Sequence, residues 1–302
     1  MKGELVPSAE LIGYAEERNT AIASLNFNNY EFLNAICRAA AELEVPVILA
    51  TSEGAIRYMG IDVISAMVPQ MVKRYGIKAS LHLDHGRSFE TVMLAIRYGY
   101  TSVMIDASDK PYEENVRITS EVVRVCKPLG ITVEAELGVL AGVEDEVSAE
   151  KGIYTDPQQA KDFVEKTGVD MLAVAVGTSH GAYKFKGEPH IDIDRVRRIR
   201  ELTKKPLVLH GASGVYREFV EELGLEGAKG LSDDLLIKAI KSGIRKVNTD
   251  TDLRMAFMVG LRRSLSKNPK EIDPRKHLTP AMEEVYKMAS KRLRVITLGE
   301  LS

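Results

Sequence analysis

The chain has 302 residues, 45% of them hydrophobic and 28% charged, with a formal net charge of -2. That size and apolar share support one large domain or two small ones with an ample core, and the near-neutral balance leaves no basic footprint for nucleic acid or an anionic membrane. No apolar run approaches the ~18 residues of a spanning helix, and Met1 to Ala9 carries no signal-like segment, so a cytoplasmic location is expected. Cys37 and Cys126 stand alone among apolar neighbours, which gives neither a disulfide framework nor a CxxC metal site. Any metal must then be held by histidines and carboxylates.

Taken in order, the patterning predicts a capped helix from Ser8 to Arg18 and a first strand at Ala21–Leu25. A helix over Asn29–Leu43 places Phe32, Ile36, Ala40 and Leu43 on one stripe. A strand at Val45–Thr51, a helix at Ile61–Tyr75, a strand at Ile77–Leu83 and a helix at Ser88–Tyr98 follow. Ser102–Asp106 reads as the fourth strand, Tyr112–Pro128 as a helix ended by proline, and Ile131–Leu137 as the fifth strand. Strands six to eight are predicted at Met171–Val176, Pro206–Leu209 and Ile244–Val247. Helices are expected at Asp192–Thr203, near Tyr216–Leu223 and Asp233–Lys241, at Thr251–Leu265, and last at about Pro280–Lys291. Eight βα units in a chain of this length predict a (β/α)8 TIM barrel. The expected organisation is a single domain over 1–302, with a C-terminal helical extension from about 274. Residues 138–157 form a long segment without clear periodicity, read either as an active-site lid or as a surface excursion.

The chemistry sits at the strand ends. His85, His180 and His210 each close an apolar run and stand beside a glycine, in Ile77–Gly86, Met171–Gly181 and Pro206–Gly214. In a barrel these positions share the C-terminal face, where active sites lie. Three histidines there point to one metal ion with an open coordination position. Asp84 adjoins His85 and suits an orienting or acid/base role. Glu134 and Glu136, two apart on strand five, share a face. One of them is a candidate fourth ligand, with a buried ion pair as the alternative. The turns Gly177–Gly181 and Gly211–Gly214 offer backbone N–H groups and hydroxyls to phosphate oxygens, with Lys184 near enough to add charge. Thr251 can cap the last barrel helix, and Arg254 brings a planar fork suited to phosphate. The residues alone imply a metal, one or two phosphates and a small polar substrate.

Four motifs, Leu83-Asp84-His85-Gly86, Gly177-Thr178-Ser179-His180-Gly181, His210-Gly211-Ala212-Ser213-Gly214 and Asn248-Thr249-Asp250-Thr251-Asp252-Leu253-Arg254, resemble those of the zinc-dependent, class II fructose-bisphosphate aldolases. Ser52-Glu53-Gly54 and Asp273-Pro274-Arg275-Lys276 are also similar to that family. The resemblance implies reversible cleavage of fructose 1,6-bisphosphate to dihydroxyacetone phosphate and glyceraldehyde 3-phosphate. It implies a catalytic Zn2+ on His85, His180 and His210, with Glu136 as a carboxylate that can approach the metal. It gives Asp84 the role of acid/base at the hydroxyl whose C–C bond breaks, and Glu144 that of moving a proton on the dihydroxyacetone phosphate carbon. Gly181, Lys184, Gly211, Ser213 and Thr251 would cradle the first phosphate. Asn248 and Ser52 would contact the substrate, Asp250 and Arg254 would read the glyceraldehyde phosphate half, and Arg275 would reach a neighbouring subunit's site. A monovalent cation near the phosphate and a homodimer or homotetramer are further implications. One departure is Ala212, where many members carry a second glycine, although alanine still offers its N–H.

Four other readings compete. Tagatose-bisphosphate aldolase shares the metal site and differs in sugar stereochemistry. A Schiff-base aldolase would use Lys184, which lacks an apolar setting to depress its pKa. A metal hydrolase needs no pair of phosphate turns, and a non-catalytic sugar-phosphate binding protein needs neither Asp84 nor Glu144.

Overall fold

Eight strands whose side chains alternate inward and outward must bury one face on each other and the other on helices. In a computed structural model of the chain they do so as a closed barrel. The structure describes residues 3–144, 147–149, 152–180 and 189–300. The barrel strands are β1 (Ile22–Asn26), β2 (Val47–Ser52), β3 (Lys78–Gly86), β4 (Ser102–Ile105), β5 (Thr132–Leu137), β6 (Met171–Val174), β7 (Leu207–Leu209) and β8 (Ile244–Thr249). Each pairs in parallel with the next, and β8 pairs with β1 through Lys246↔Ile22 and Asn248↔Ser24, so the ring closes. The chain is therefore a (β/α)8 TIM barrel, as the alternation predicts.

The predicted helices follow in order, and one that the sequence did not lead us to expect, Pro157–Thr167, fills the connection between β5 and β6. Ser8–Arg18 and Ile61–Tyr75 have the predicted bounds, and Tyr30–Glu42, Phe89–Arg97 and Ile193–Thr203 begin one residue after Asn29, Ser88 and Asp192, whose side chains cap them. Ser8 is itself the first helical residue, after Pro7, so it is not the cap. Its hydroxyl instead bonds Ser80 at 2.8 Å, and Ala9 N–H donates to Thr132 Oγ1 at 3.0 Å. These contacts seat the helix across the N-terminal mouth, where Leu11, Ile12 and Ala15 pack on Ile22, Ile48, Met171 and Val208. The last helix starts at Pro274, six residues before the predicted Pro280. Pro280 has no N–H for the Lys276 carbonyl one turn back, and Ser264 Oγ lies 3.4 Å from that carbonyl. The segment 138–157 also differs from its patternless sequence. Ala141–Glu144 and Val147–Ala149 pair as an antiparallel hairpin. Such short strands carry too few alternations for a sequence signal.

A second apolar layer joins the outer strand faces to the helices. Phe163, on helix Pro157–Thr167, is fully buried there with its ring 6.2 Å from that of Tyr112. Phe163→Ala is expected to cost about 3–5 kcal/mol of stability through lost transfer energy and the cavity left behind, read as a lower urea midpoint. Among the described residues no helix is long and apolar enough to cross a membrane.

Candidate active site

Alternation along the barrel strands sends every second side chain into the lumen. Its N-terminal end is filled by Ile22, Ile48, Met104, Met171 and Val208, and toward the C-terminal end the inward positions turn polar. Contacts between strands that are not neighbours identify the lumen directly. Lys246 on β8 meets Glu134 on β5 at 2.7 Å, and Asn248 on β8 meets Asp84 on β3 at 2.8 Å.

Asp84 and His85 are consecutive, so a regular strand would point them to opposite faces. His85 instead has φ +51°, in the left-handed region, and the β3–β4 register shifts between Leu83 and Gly86. That irregularity brings both side chains to the same cluster. Gly86 is required beside it, because a Cβ there would lie 2.7 Å from the Met104 carbonyl oxygen.

Two carboxylates orient the described histidines. His85 Nδ1 lies 2.8 Å from Asp106 Oδ2, and Asp106 is fixed in turn by Ser108 and Arg87. His210 Nε2 lies 2.8 Å from Glu134 Oε1. An ionised carboxylate only accepts, so Glu134 holds the proton on His210 Nε2 and leaves Nδ1 as a lone-pair donor. Asp106 likewise engages His85 Nδ1, so Nε2 is the nitrogen that does not face that carboxylate. The two rings stand 4.7 Å apart. Ligand atoms of Asp84, His85 and His210 fall within 4.8 Å of one another, as do those of His85, Asp106 and Glu136.

Asp84 is buried, with Oδ2 accepting from Asn26 Nδ2 and Oδ1 from Asn248 Nδ2, both at 2.8 Å. Burial opposes its ionisation, but His85, His210 and Lys246 outweigh it and hold the carboxyl below its ordinary range. Burial also disfavours a His85 cation, yet Asp84, Asp106 and Glu136 push that histidine up to about 10. Burial and the Asp106 charge raise Glu136 well above the carboxylate range, and its Oε2 is buried with no hydrogen-bond partner among the described residues. Imidazole nitrogens and carboxylate oxygens within reach of one another, with the Glu136 oxygen buried and unpartnered among the described residues, form a donor set that suits zinc.

The remaining expected residues divide by place. Ser52 sits across the β2–β3 ladder from Asp84, and its Oγ accepts from Ala55 N–H to cap helix Glu53–Met59, which the sequence reading did not contain. Gly211 has φ +63° and its Cα packs on the Ser179 backbone, where a Cβ would meet the carbonyl oxygen at 2.4 Å. The His180 backbone, next in the chain, pairs with Gly142 of the hairpin, so it is carried to the same end of the barrel as His210. Ser213 is buried in the turn after His210, and Asn248 contacts Asp84. Asp250, not Thr251, occupies the cap position of helix Thr251–Lys267. Its carboxylate takes a two-point contact from Arg254 at 2.9 and 2.7 Å. Arg275 is exposed and forks onto Asp273 at the start of its own helix. The side chains of His180 and Glu144, and all of Gly181 and Lys184, lie outside the described residues.

Sequence reasoning missed Asn26, Asp106, Lys246 and His82. Period-two counting from predicted strands could have found them, since Asn26 and Asp106 end strands and Lys246 stands two before Asn248. Lys246 Nζ joins Glu134 to His82 Nε2 at 3.3 Å, and His82 Nδ1 reaches Ser102 Oγ at 2.8 Å. Of the two carboxylates on β5, Glu134 is therefore the buried ion pair, and Glu136 is the one beside His85.

The model of class II fructose-bisphosphate aldolases matches residues 6–299. The chain belongs to that family. It is an enzyme family of lyases that depends on a metal ion. A fructose-bisphosphate aldolase of Thermus caldophilus is 47% identical over 298 residues, covering 96% of this chain and 97% of the relative. One from Helicobacter pylori is 43% identical over 300 residues, covering 97% and 98%. Among solved structures, the YdjI aldolase from Escherichia coli K12 superposes with a TM-score of 0.79 at 33% identity, covering 97% of each chain.

Proposed function

We propose that this enzyme reversibly cleaves fructose 1,6-bisphosphate to dihydroxyacetone phosphate and glyceraldehyde 3-phosphate with a bound zinc ion. The observation that carries the reading is the buried Asp84 carboxylate, held by two amides beside two carboxylate-oriented histidines at the barrel mouth. Family membership over nearly the whole chain supports it.

His85, His180 and His210 would hold the zinc, with Glu136 able to approach it. When bound, the ion supplies Lewis-acid polarisation of the substrate ketone. Asp84 accepts the C4 hydroxyl proton as the C3–C4 bond breaks, for which a carboxylate kept ionised is the right state. Asn26 and Asn248 fix its direction. Glu144, on the hairpin that pairs with the His180 backbone, moves the proton at the carbon left behind. Gly181, Lys184, Gly211, Ser213 and Thr251 hold the first phosphate, and Asn248 and Ser52 the carbon chain and its oxygens. Asp250 and Arg254 hold the far half, with Arg275 reaching a neighbouring subunit's site. Two clamped ends keep the breaking bond in line, which is worth several kcal/mol of entropy. A monovalent cation near the phosphate, a homodimer or homotetramer and a cytoplasmic location belong to the same reading.

The test is cleavage of fructose 1,6-bisphosphate coupled to triose phosphate detection, before and after EDTA and after zinc is restored. Chelation is expected to abolish turnover and zinc to restore it, with borohydride plus substrate causing no inactivation. Activity that survives chelation and dies with borohydride would move the chemistry to a lysine. Faster turnover of tagatose 1,6-bisphosphate would change the sugar and keep the mechanism.

A further inference from the structure

The turn Gly211–Gly214 is built from behind by a residue near the far end of the chain. Arg292, on the last helix, is fully buried. Its Nη2 donates to the Ala212 carbonyl at 3.0 Å, and its Nη1 reaches Asp233 Oδ1 at 3.1 Å and the Tyr216 hydroxyl at 3.2 Å. Its Nε faces Asp252 Oδ2 at 3.6 Å. Asp252 is also fully buried, and its two oxygens accept from the Gly214 and Val215 N–H groups, both at 2.8 Å.

These contacts hold an unfavourable backbone. Val215 has φ +47°, which a β-branched residue rarely adopts unless its surroundings impose it. Gly230 packs directly on Gly214, and Leu231 N–H donates to the Ser213 carbonyl at 3.0 Å, so the turn is gripped from a second side. With Gly211 set against Ser179, every residue of the turn except the Ser213 side chain is tied to scaffold.

We propose that Arg292 is a positioning residue for substrate phosphate, a buried fork that sets the Ala212 carbonyl and the Asp252 carboxylate so that the turn presents its N–H groups and Ser213 to the anion. The inference rests on the reading of this turn as a phosphate cradle. Arginine is needed because one planar group must meet a carbonyl, a hydroxyl and two carboxylates at once, which a lysine's single ammonium cannot. The charge of Arg292 is absorbed by Asp233 and Asp252, so it acts through geometry.

The experiment measures fructose 1,6-bisphosphate cleavage, inhibition by inorganic phosphate and zinc content for Arg292→Lys, Asp252→Asn and Ser213→Ala. For Arg292→Lys, KM and the phosphate inhibition constant should rise by roughly 10-fold, the equivalent of about 1.4 kcal/mol. Its kcat should fall less than its affinity, and its zinc content should be unchanged. Asp252→Asn should show the same split, and it carries the test if Arg292→Lys does not fold. A phosphate constant unchanged in the folded variants but raised in Ser213→Ala overturns the role of Arg292. So does a loss of kcat and zinc with no selective loss of phosphate affinity. An unchanged phosphate constant in Ser213→Ala overturns the cradle itself, and the inference with it.

Discussion

Asp84→Asn should lower kcat for fructose 1,6-bisphosphate cleavage by roughly 10²- to 10⁴-fold, the range of a lost general acid/base, while zinc content and the melting temperature stay near their starting values. The substitution is nearly isosteric. Its cost to the fold is small for a specific reason. Both Asp84 oxygens accept from amides, so the side-chain amide that replaces the carboxylate would oppose one donor unless a neighbour turns over. Asn26 Oδ1 is buried with no hydrogen-bond partner among the described residues, so that amide can turn without giving up a bond made by its oxygen, whereas Asn248 Nδ2 also faces His210 Nδ1 at 3.4 Å. What cannot be restored is a carboxylate able to take the proton. Turnover within about tenfold of the parent enzyme would remove Asp84 from the chemistry, and loss of zinc would recast it as a metal ligand.

Lys246→Met should be the most destabilising single change in the barrel lumen. Lys246 and Glu134 are both fully buried and 2.7 Å apart. Removing one partner leaves an uncompensated charge in the interior, at a cost of about 3–5 kcal/mol. Burial, the largest of the causes that push His82 down to about 3, remains in the variant and opposes a replacement cation beside Glu134. The double variant Lys246→Met with Glu134→Gln should recover much of the loss, because no ion is then stranded. Urea midpoints for the three proteins check this, and a double variant no better than the single one would refute it. Zinc affinity gives a second readout. Glu134 holds the His210 tautomer, and loss of such an orienting carboxylate weakens metal binding by roughly 10- to 100-fold. The Glu134→Gln single variant should show that loss together with a stability loss of its own, since it strands the buried Lys246 ammonium.

How much of this was legible follows from the range of each signal. His85, His180 and His210 stood out because each ends an apolar run beside a glycine, a pattern confined to one short stretch of chain. Glu134 and Glu136 were readable as sharing a face, since period two is a property of any strand. Which of them pairs and which stays beside His85 was not readable, because that depends on Lys246, 112 positions away. The shared reach of Asp84 and His85 was also hidden, as it turns on one left-handed backbone angle. The hairpin in 141–149 was missed because its strands are shorter than the period a sequence can display.

The sequence by itself determined the eight βα units, their order, the face on which the site forms and the residue types that meet there. These follow from periodicity and burial, which act over one or two turns of chain. Only the tertiary structure decided who faces whom across the lumen, how each histidine is oriented, and that Arg292 supports a turn 80 positions earlier. Those relations depend on how the strands tilt and shift in register when the sheet closes on itself, and no local pattern encodes that closure.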